Sequence, residues 1–373
     1  MYRKIERKLQ AQRHPAWFRP LMLLVVLGQI TWVAADENHG QVSMADERYQ
    51  KLDMRVPAPA VDGARWYLSF DNDLLSPKNR DQDYTYGINL GYASPEVTSW
   101  WPNEALISLD KLLGLSSKNL RGSALEAGLY GFTPSNVESS EPNKLDRPYS
   151  SLVYVATSAE RMNWEKQVVL RSQFTLGALG LDAVGDVQNL THRFTGGHEA
   201  KGWHNQISNG GEPTFRYSVA RMKLLETALP RLELKHTAAA SVGYITEASW
   251  SISARVGKIA TPWHSFKPES KNYAESQGAK RGRSPESYFW IGSAIKLRAY
   301  NAFLQGQFRE SAVTYSHDEL RPVVVEAWVG YAHEFPNGYH LNYGLRGHTS
   351  EIKEGEGDRD VIWGGVMIGR RIL

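Results

Sequence analysis

Gln188 and His192 stand four residues apart in QNLTHRFTG, the spacing that puts two side chains one turn apart on a single helix face. Far upstream, Asp71, Asn72, Asp73, Lys78, Arg80, Asp81 and Asp83 crowd 13 residues just ahead of Thr85. Ester hydrolysis near neutral pH needs a base that titrates there, and histidine is the side chain that does. A carboxylate-rich rim could hold a calcium ion able to polarise an ester carbonyl. Each residue also has an ordinary use. His192 is one of 11 histidines, Asn72–Asp73 is a good turn pair, Asp146-Arg147-Pro148 could be a salt bridge with a turn, and Thr85 is a β-branched strand residue. No GxSxG elbow, no HExxH and no cysteine occur, which disfavours a nucleophile-elbow serine hydrolase and the common zinc sites.

The elements that would carry these residues read as strands. Trp66, Leu68 and Phe70 alternate with Tyr67, Ser69 and Asp71; Tyr86, Ile88, Leu90 and Tyr92 alternate with Thr85, Gly87, Asn89 and Gly91. Period-2 alternation assigns one set to each face of a sheet. It places Thr85 on the face of Asn89, a face not built to be a dry core. About twelve such segments follow one another, near 65–71, 84–94, 122–131, 148–159, 164–178, 213–224, 231–245, 248–259, 287–301, 321–334, 339–350 and 360–373. They run about 10–15 residues, long for soluble strands and suited to a tilted membrane crossing. Charges recur at mid-strand on one face, and many of the 12 Trp and 18 Tyr lie near strand ends, as interface girdles require. The fold class expected is all-β: a transmembrane antiparallel barrel of about twelve strands. Phe174, Ile291 and Leu341 should face lipid, and Arg171, Lys296 and Asn342 the lumen. A mean hydropathy of −0.44 is compatible, because half of each strand faces a polar interior.

With the N-terminus periplasmic, every second connection lies on the outer side. That rim collects the tip at 72–83, the segment after Tyr130 that leads through Asp146, Arg147 and Tyr149, and the segment after Gly180. Val184, Val187, Leu190 and Thr191 fall at helical spacing there, so a short helix is expected in this outer connection.

The chain begins with a targeting pattern. Residues 1–20 hold Arg3, Lys4, Arg7, Lys8, Arg13 and Arg19 against Glu6, an uncharged run fills 21–35, and small residues end it. Residues 1–35 are therefore expected to be a signal peptide, 36–63 a periplasmic extension or linker, and 64–373 the barrel. The formal charge of +3 rests on the leader, so the remainder is slightly acidic and no nucleic-acid partner is expected. With no cysteine, the exported chain must hold itself by packing or by a closed sheet.

DND at 71–73, DQDYTYG at 81–87, LYGFTPSN at 129–136, DRPYSS at 146–151, QNLTHRFTG at 188–196 and GWHNQ at 202–206 recur in order, followed by FLQGQF at 303–308 and TSE at 349–351. With these pieces the chain resembles the outer-membrane lipid A 3′-O-deacylases, which remove the 3′-acyloxyacyl group from lipopolysaccharide. The resemblance implies a twelve-stranded barrel in the bacterial outer membrane, with its site at the outer rim towards the extracellular leaflet, and calcium (Ca2+) dependence. His192 matches the catalytic histidine, Asn72 and Asp73 an Asn-Asp pair, Thr85 an active-site threonine and Gln188 a nearby polar residue. Asp73 becomes the metal-ligand candidate, and Arg147, Tyr149 and Tyr130 are expected to contact substrate. The implied partner is lipid A. An outer-membrane phospholipase or a non-catalytic channel would use the same barrel.

Overall fold

A computed structural model describes residues 64–77, 82–115, 119–163, 165–229, 231–269 and 285–372. The leader and the extension expected over 1–63 lie outside the described residues, as do Lys78, Arg80 and Asp81. Twelve strands run β1 (Ala64–Asn72), β2 (Asp83–Ala93), β3 (Leu120–Thr133), β4 (Ser150–Asn163), β5 (Val168–Leu179), β6 (Glu212–Leu225), β7 (Leu232–Gly243), β8 (Ile245–Lys258), β9 (Ser287–Asn301), β10 (Val323–Glu334), β11 (Tyr339–His348) and β12 (Val361–Ile372). Each pairs antiparallel with its sequence neighbours, and β1 closes on β12 with Ala64 opposite Ile372 and Asn72 opposite Gly364. Closure leaves no unpaired sheet edge. The terminal end of the barrel carries both ends of the described chain; the tip after β1 marks the opposite, distal end.

The alternation in the sequence is the alternation of the wall. On β9, Phe289, Ile295 and Leu297 are exposed outward while Lys296 and Arg298 are buried inward. Lys296 bonds Glu326, and Arg298 bonds Glu247 and Glu351. Phe174 stacks on the exposed outward Phe215, Arg171 lies 3.6 Å from Glu160, and Asn342 accepts from Trp290 inside. Buried charges persist only when paired, and Lys296, Arg298 and Arg171 each meet a carboxylate on a neighbouring strand.

The interior is filled rather than open. From the terminal end, the connection after β8 inserts Lys267 and Glu269, which bond Glu160 on β4 and Lys235 on β7. At the distal end, Phe303 packs on Tyr130, Phe132 and Tyr244. Between them remains a polar cavity of about 160 Å³, bordered by Asp71, Arg216, Lys267, Glu269 and Arg298.

Two helices lie on the outside of one wall. Helix α1 (Trp101–Leu112) follows β2 at the terminal end, opening with Pro102 in its first turn, where a missing N–H is harmless. Helix α2 (Ala183–Thr195) follows β5 at the distal end and stops at Gly196, whose φ of 77° a side chain would resist.

Candidate functional site

The first hairpin is tied by Asn72. Its Nδ2 donates to the Thr85 carbonyl at 2.7 Å, and its Oδ1 accepts from Leu74 N at 2.6 Å. That second bond caps a single turn over Asp73–Leu75, the ordinary use of asparagine before a helical turn. Asp73 is 1 % exposed, and its Oδ2 accepts from Gln82 N at 2.6 Å.

The expected face of Thr85 needs correction. The β2–β3 pairing shifts register between Tyr84 and Tyr86. Tyr84 packs inside on Phe132 and Trp363, whereas Tyr86 donates outside to the Val184 carbonyl of α2. Thr85 is the extra residue of a β-bulge, and a bulge re-aims the side chains that follow it. Thr85 therefore joins Thr133 at 2.6 Å, on the outer side that Gly131 shares with α2, while Asn89 bonds Ser69 and Tyr154 within the lumen.

Helix α2 lies against that outer side with its polar face inward. Val184, Gln188 and His192, spaced by four, are buried, whereas Leu190 and Phe194 are 51 % and 84 % exposed. The helix expected from the apolar spacing is present, but Leu190 and Thr191 do not seat it. Two glycines let it close on the wall: a Cβ on Gly131 would meet Val184 Cγ1 at 2.7 Å and Trp203 at 3.0 Å, and one on Gly185 would meet the Trp203 ring. Gln188 Oε1 accepts from Trp203 Nε1 at 2.7 Å. Its Nε2 is buried with no hydrogen-bond partner among the described residues, a donor whose desolvation is uncompensated. The His192 ring holds Nδ1 against the His198 carbonyl. A carbonyl only accepts, so Nδ1 carries the hydrogen and Nε2 is left as the basic nitrogen. Gly197 fits against this ring, and Asn189 clamps the returning chain through both the N–H and the carbonyl of Ala200. One set of bonds thus lies within the first hairpin and a second within α2 and its return; Tyr86–Val184 links the two.

The residues expected to contact substrate, Tyr130, Tyr149 and Arg147, all make contacts within the protein. Tyr130 points into the lumen among Phe132, Tyr154 and Phe303. Tyr149 is buried, donates to the Val137 carbonyl at 2.9 Å and packs on Trp203. Arg147 is 2 % exposed, 2.9 Å from Glu351 and 3.5 Å from Asp83. Arg359 bridges Asp83 at 2.8 Å and Asp146 at 2.6 Å. Burial alone would push the Asp146 carboxyl up, but Arg359 and the Ser135 hydroxyl and N–H outweigh it and hold it below its ordinary value. Thr133, Tyr86 and Arg359 were not singled out by the sequence. Trp203 appeared only within GWHNQ, and no local pattern announces Arg359, which meets Asp83 276 positions away.

Calcium wants oxygen donors, and the first hairpin supplies that donor type through the buried Asp73 carboxylate and the carbonyls of its turn. Among the described residues, a grouping of three His, Asp or Glu ligand atoms within 4.8 Å is formed by Glu286, Glu334 and His340, at the terminal end.

No curated protein matches the chain by sequence. Among solved structures, LpxR from Salmonella typhimurium superposes with a TM-score of 0.64 at 16% identity, covering 82% of this chain and 99% of that one. The β domain of the Bordetella autotransporter BrkA (TM-score 0.38, 12% identity, 83% and 99% covered) and the KdgM porin (0.36, 5%, 83% and 99%) are more distant barrels. The family model described as outer membrane protein LpxR matches residues 24–372, and with that span the chain belongs to the LpxR family of outer-membrane proteins.

Proposed function

We propose that this protein is an ester hydrolase that removes the 3′-acyloxyacyl group of lipid A, with its site towards the extracellular leaflet and His192 as general base. The observation that carries the reading is the fixed imidazole. With Nδ1 spent on the His198 carbonyl, Nε2 takes a proton from water as the water oxygen attacks the ester carbonyl, then returns it to the departing sugar alkoxide. The Gln188 Nε2, buried and unpartnered among the described residues, would donate to the oxyanion. Calcium held at Asp73 would polarise the same carbonyl. Asn72 and Thr85 fix the hairpin that presents Asp73. Leu190 and Phe194 on the open side of α2 suit contact with acyl chains.

A channel is disfavoured because the lumen is filled from both ends. A phospholipase would keep the mechanism and change the substrate, so the test offers both substrates. The purified protein in mixed micelles is given lipid A or glycerophospholipid with calcium, and the products are weighed by mass spectrometry. Loss of one acyloxyacyl group from lipid A is expected. Release of fatty acid from glycerophospholipid alone would replace this substrate, and no product from either would overturn the enzyme reading.

A further inference from the structure

Helix α1 turns to the barrel a polar cluster that the proposed chemistry does not use. Successive residues turn by about 100° around a helix, which divides α1 into three sectors. Asn103, Leu106 and Asp110 face the barrel and are buried. Asn103 Nδ2 donates to Thr157 Oγ1 and the Ser158 carbonyl at 3.1 and 2.9 Å. Asp110 accepts from Arg161, from Ser172 Oγ at 2.6 Å and from the Tyr217 hydroxyl at 2.8 Å. By strand alternation Thr157, Arg161, Ser172 and Tyr217 belong to the outer face of the wall, shared with the exposed Val155, Leu176 and Phe215. A second sector holds Trp101 and Leu112, 78 % and 84 % exposed, with Ala105 between them. The third holds Glu104, Ser108 and Lys111, also exposed.

A water-bathed helix would turn its leucines to the protein and its Asn and Asp outward. Helix α1 turns Asn103 and Asp110 inward beside Leu106 and leaves Trp101 and Leu112 outside, and it covers an arginine, a serine and a tyrosine hydroxyl that would otherwise face hydrocarbon without a carboxylate. Just before it, Trp100 stacks on the outward Tyr92 at 5.9 Å, the aromatic pairing of a membrane boundary.

We propose that α1 is an interfacial helix seated in the lipid leaflet at the terminal end, the periplasmic leaflet under the orientation proposed above. The occupant of its apolar flank is phospholipid: Trp101, Ala105 and Leu112 enter the acyl region, while Glu104, Ser108 and Lys111 stay at the head groups. The barrel-facing sector is its anchor.

The absence of cysteine makes the test direct. Full-length Ala105→Cys, Leu112→Cys, Glu104→Cys and Ser108→Cys variants are spin-labelled in phospholipid vesicles, with barrel folding checked by gel mobility before boiling. Relaxation by oxygen should exceed that by a water-soluble nickel chelate at 105 and 112, and the order should invert at 104 and 108. As a second measurement, brominated-chain lipid should quench the wild type more than Trp101→Phe. Nickel dominance at all four positions would place α1 in water and overturn the proposal. Protection at 105 and 112 with spin–spin broadening between copies would replace lipid by a second chain.

Discussion

Helices α1 and α2 lie on the outside of the same barrel, against overlapping strands at opposite ends, and both bury polar side chains against the wall, beside Leu106 in α1 and Val184 in α2, while leaving large apolar ones outward. They differ in what happens to the polar groups. In α1 the Asp110 carboxylate is consumed by Arg161, Ser172 and Tyr217, and the Asn103 amide by Thr157, Ser158 and Ser123. In α2 the corresponding groups are oriented instead. His192 is fixed through Nδ1, and Gln188 is held by its oxygen while its Nε2 stays unpartnered among the described residues. A matched polar face makes an anchor. A face with a donor left over, in a dry setting where that donor acts strongly, is where chemistry can be done.

The largest expected effects separate the two helices by activity. His192→Asn keeps size and polarity but removes the base, and deacylation should fall by about 10²–10⁴-fold with the barrel unchanged. Asp73→Ala should bring activity to background, and chelation of the wild type should mimic it; full activity in excess chelator would remove calcium from the account. Asp110→Ala does the opposite. It leaves Arg161 buried without its carboxylate, a loss of about 3–5 kcal/mol read as a lower unfolding midpoint, while the rate per folded molecule should hold. If Asp110→Ala instead abolished turnover in a folded barrel, the division between anchor and site would be wrong.

How far this contrast is legible in the sequence depends on what sets each feature. The strands are: Lys296 and Arg298 share the lumen because the one irregularity in the β8–β9 pairing falls just after them, at Ala299, and Phe174, Ile291 and Leu341 face out as the alternation requires. The bulge at Thr85 is not, because one inserted residue leaves no mark in an alternating run and only the pairing with β3 reveals it. Helix α1 is not legible either, since its apolar residues are divided between Leu106 against the wall and Trp101 and Leu112 away from it. Nothing near Arg147 in the sequence points to Glu351, 204 positions later, which it bonds. Local pattern fixes which way a strand points; partners hundreds of residues away decide what a charge is for.

A smaller effect probes how tightly α2 must sit. Gly131→Ala places a methyl 2.7 Å from Val184 Cγ1 and 3.0 Å from Trp203, so the helix must lift by a few tenths of an ångström or more. Overpacking of this kind costs about 1–3 kcal/mol. Activity should fall and hydrogen exchange in 183–195 should rise, with exchange in 101–112 unchanged. Equal loosening of both helices would show that the two ends are coupled through the wall.

The smallest effect comes from acid and should again touch only the α2 end. Asp146 fixes the connection after β3, through Ser135 N at 2.8 Å and Arg359 at 2.6 Å, and that connection supplies Val137 and Tyr149 to the cluster around Trp203. Its carboxyl lies below the ordinary value of 3.8 when folded, because Arg359 and Ser135 overcome the upward push of burial. A lowered folded value means that the stabilisation is complete above the unfolded value and drains as pH falls through the folded one. The seat of α2 should therefore hold down to about pH 4 and loosen only below it. Hydrogen exchange over 134–149 and 183–200 would report the change, with the amides of β7 and β8 as an internal reference. Asp146→Asn keeps the shape but no longer titrates, so it should loosen the seat at neutral pH and flatten its response to acid. A wild-type seat that loosens between pH 6 and 5 would assign the response to a different group.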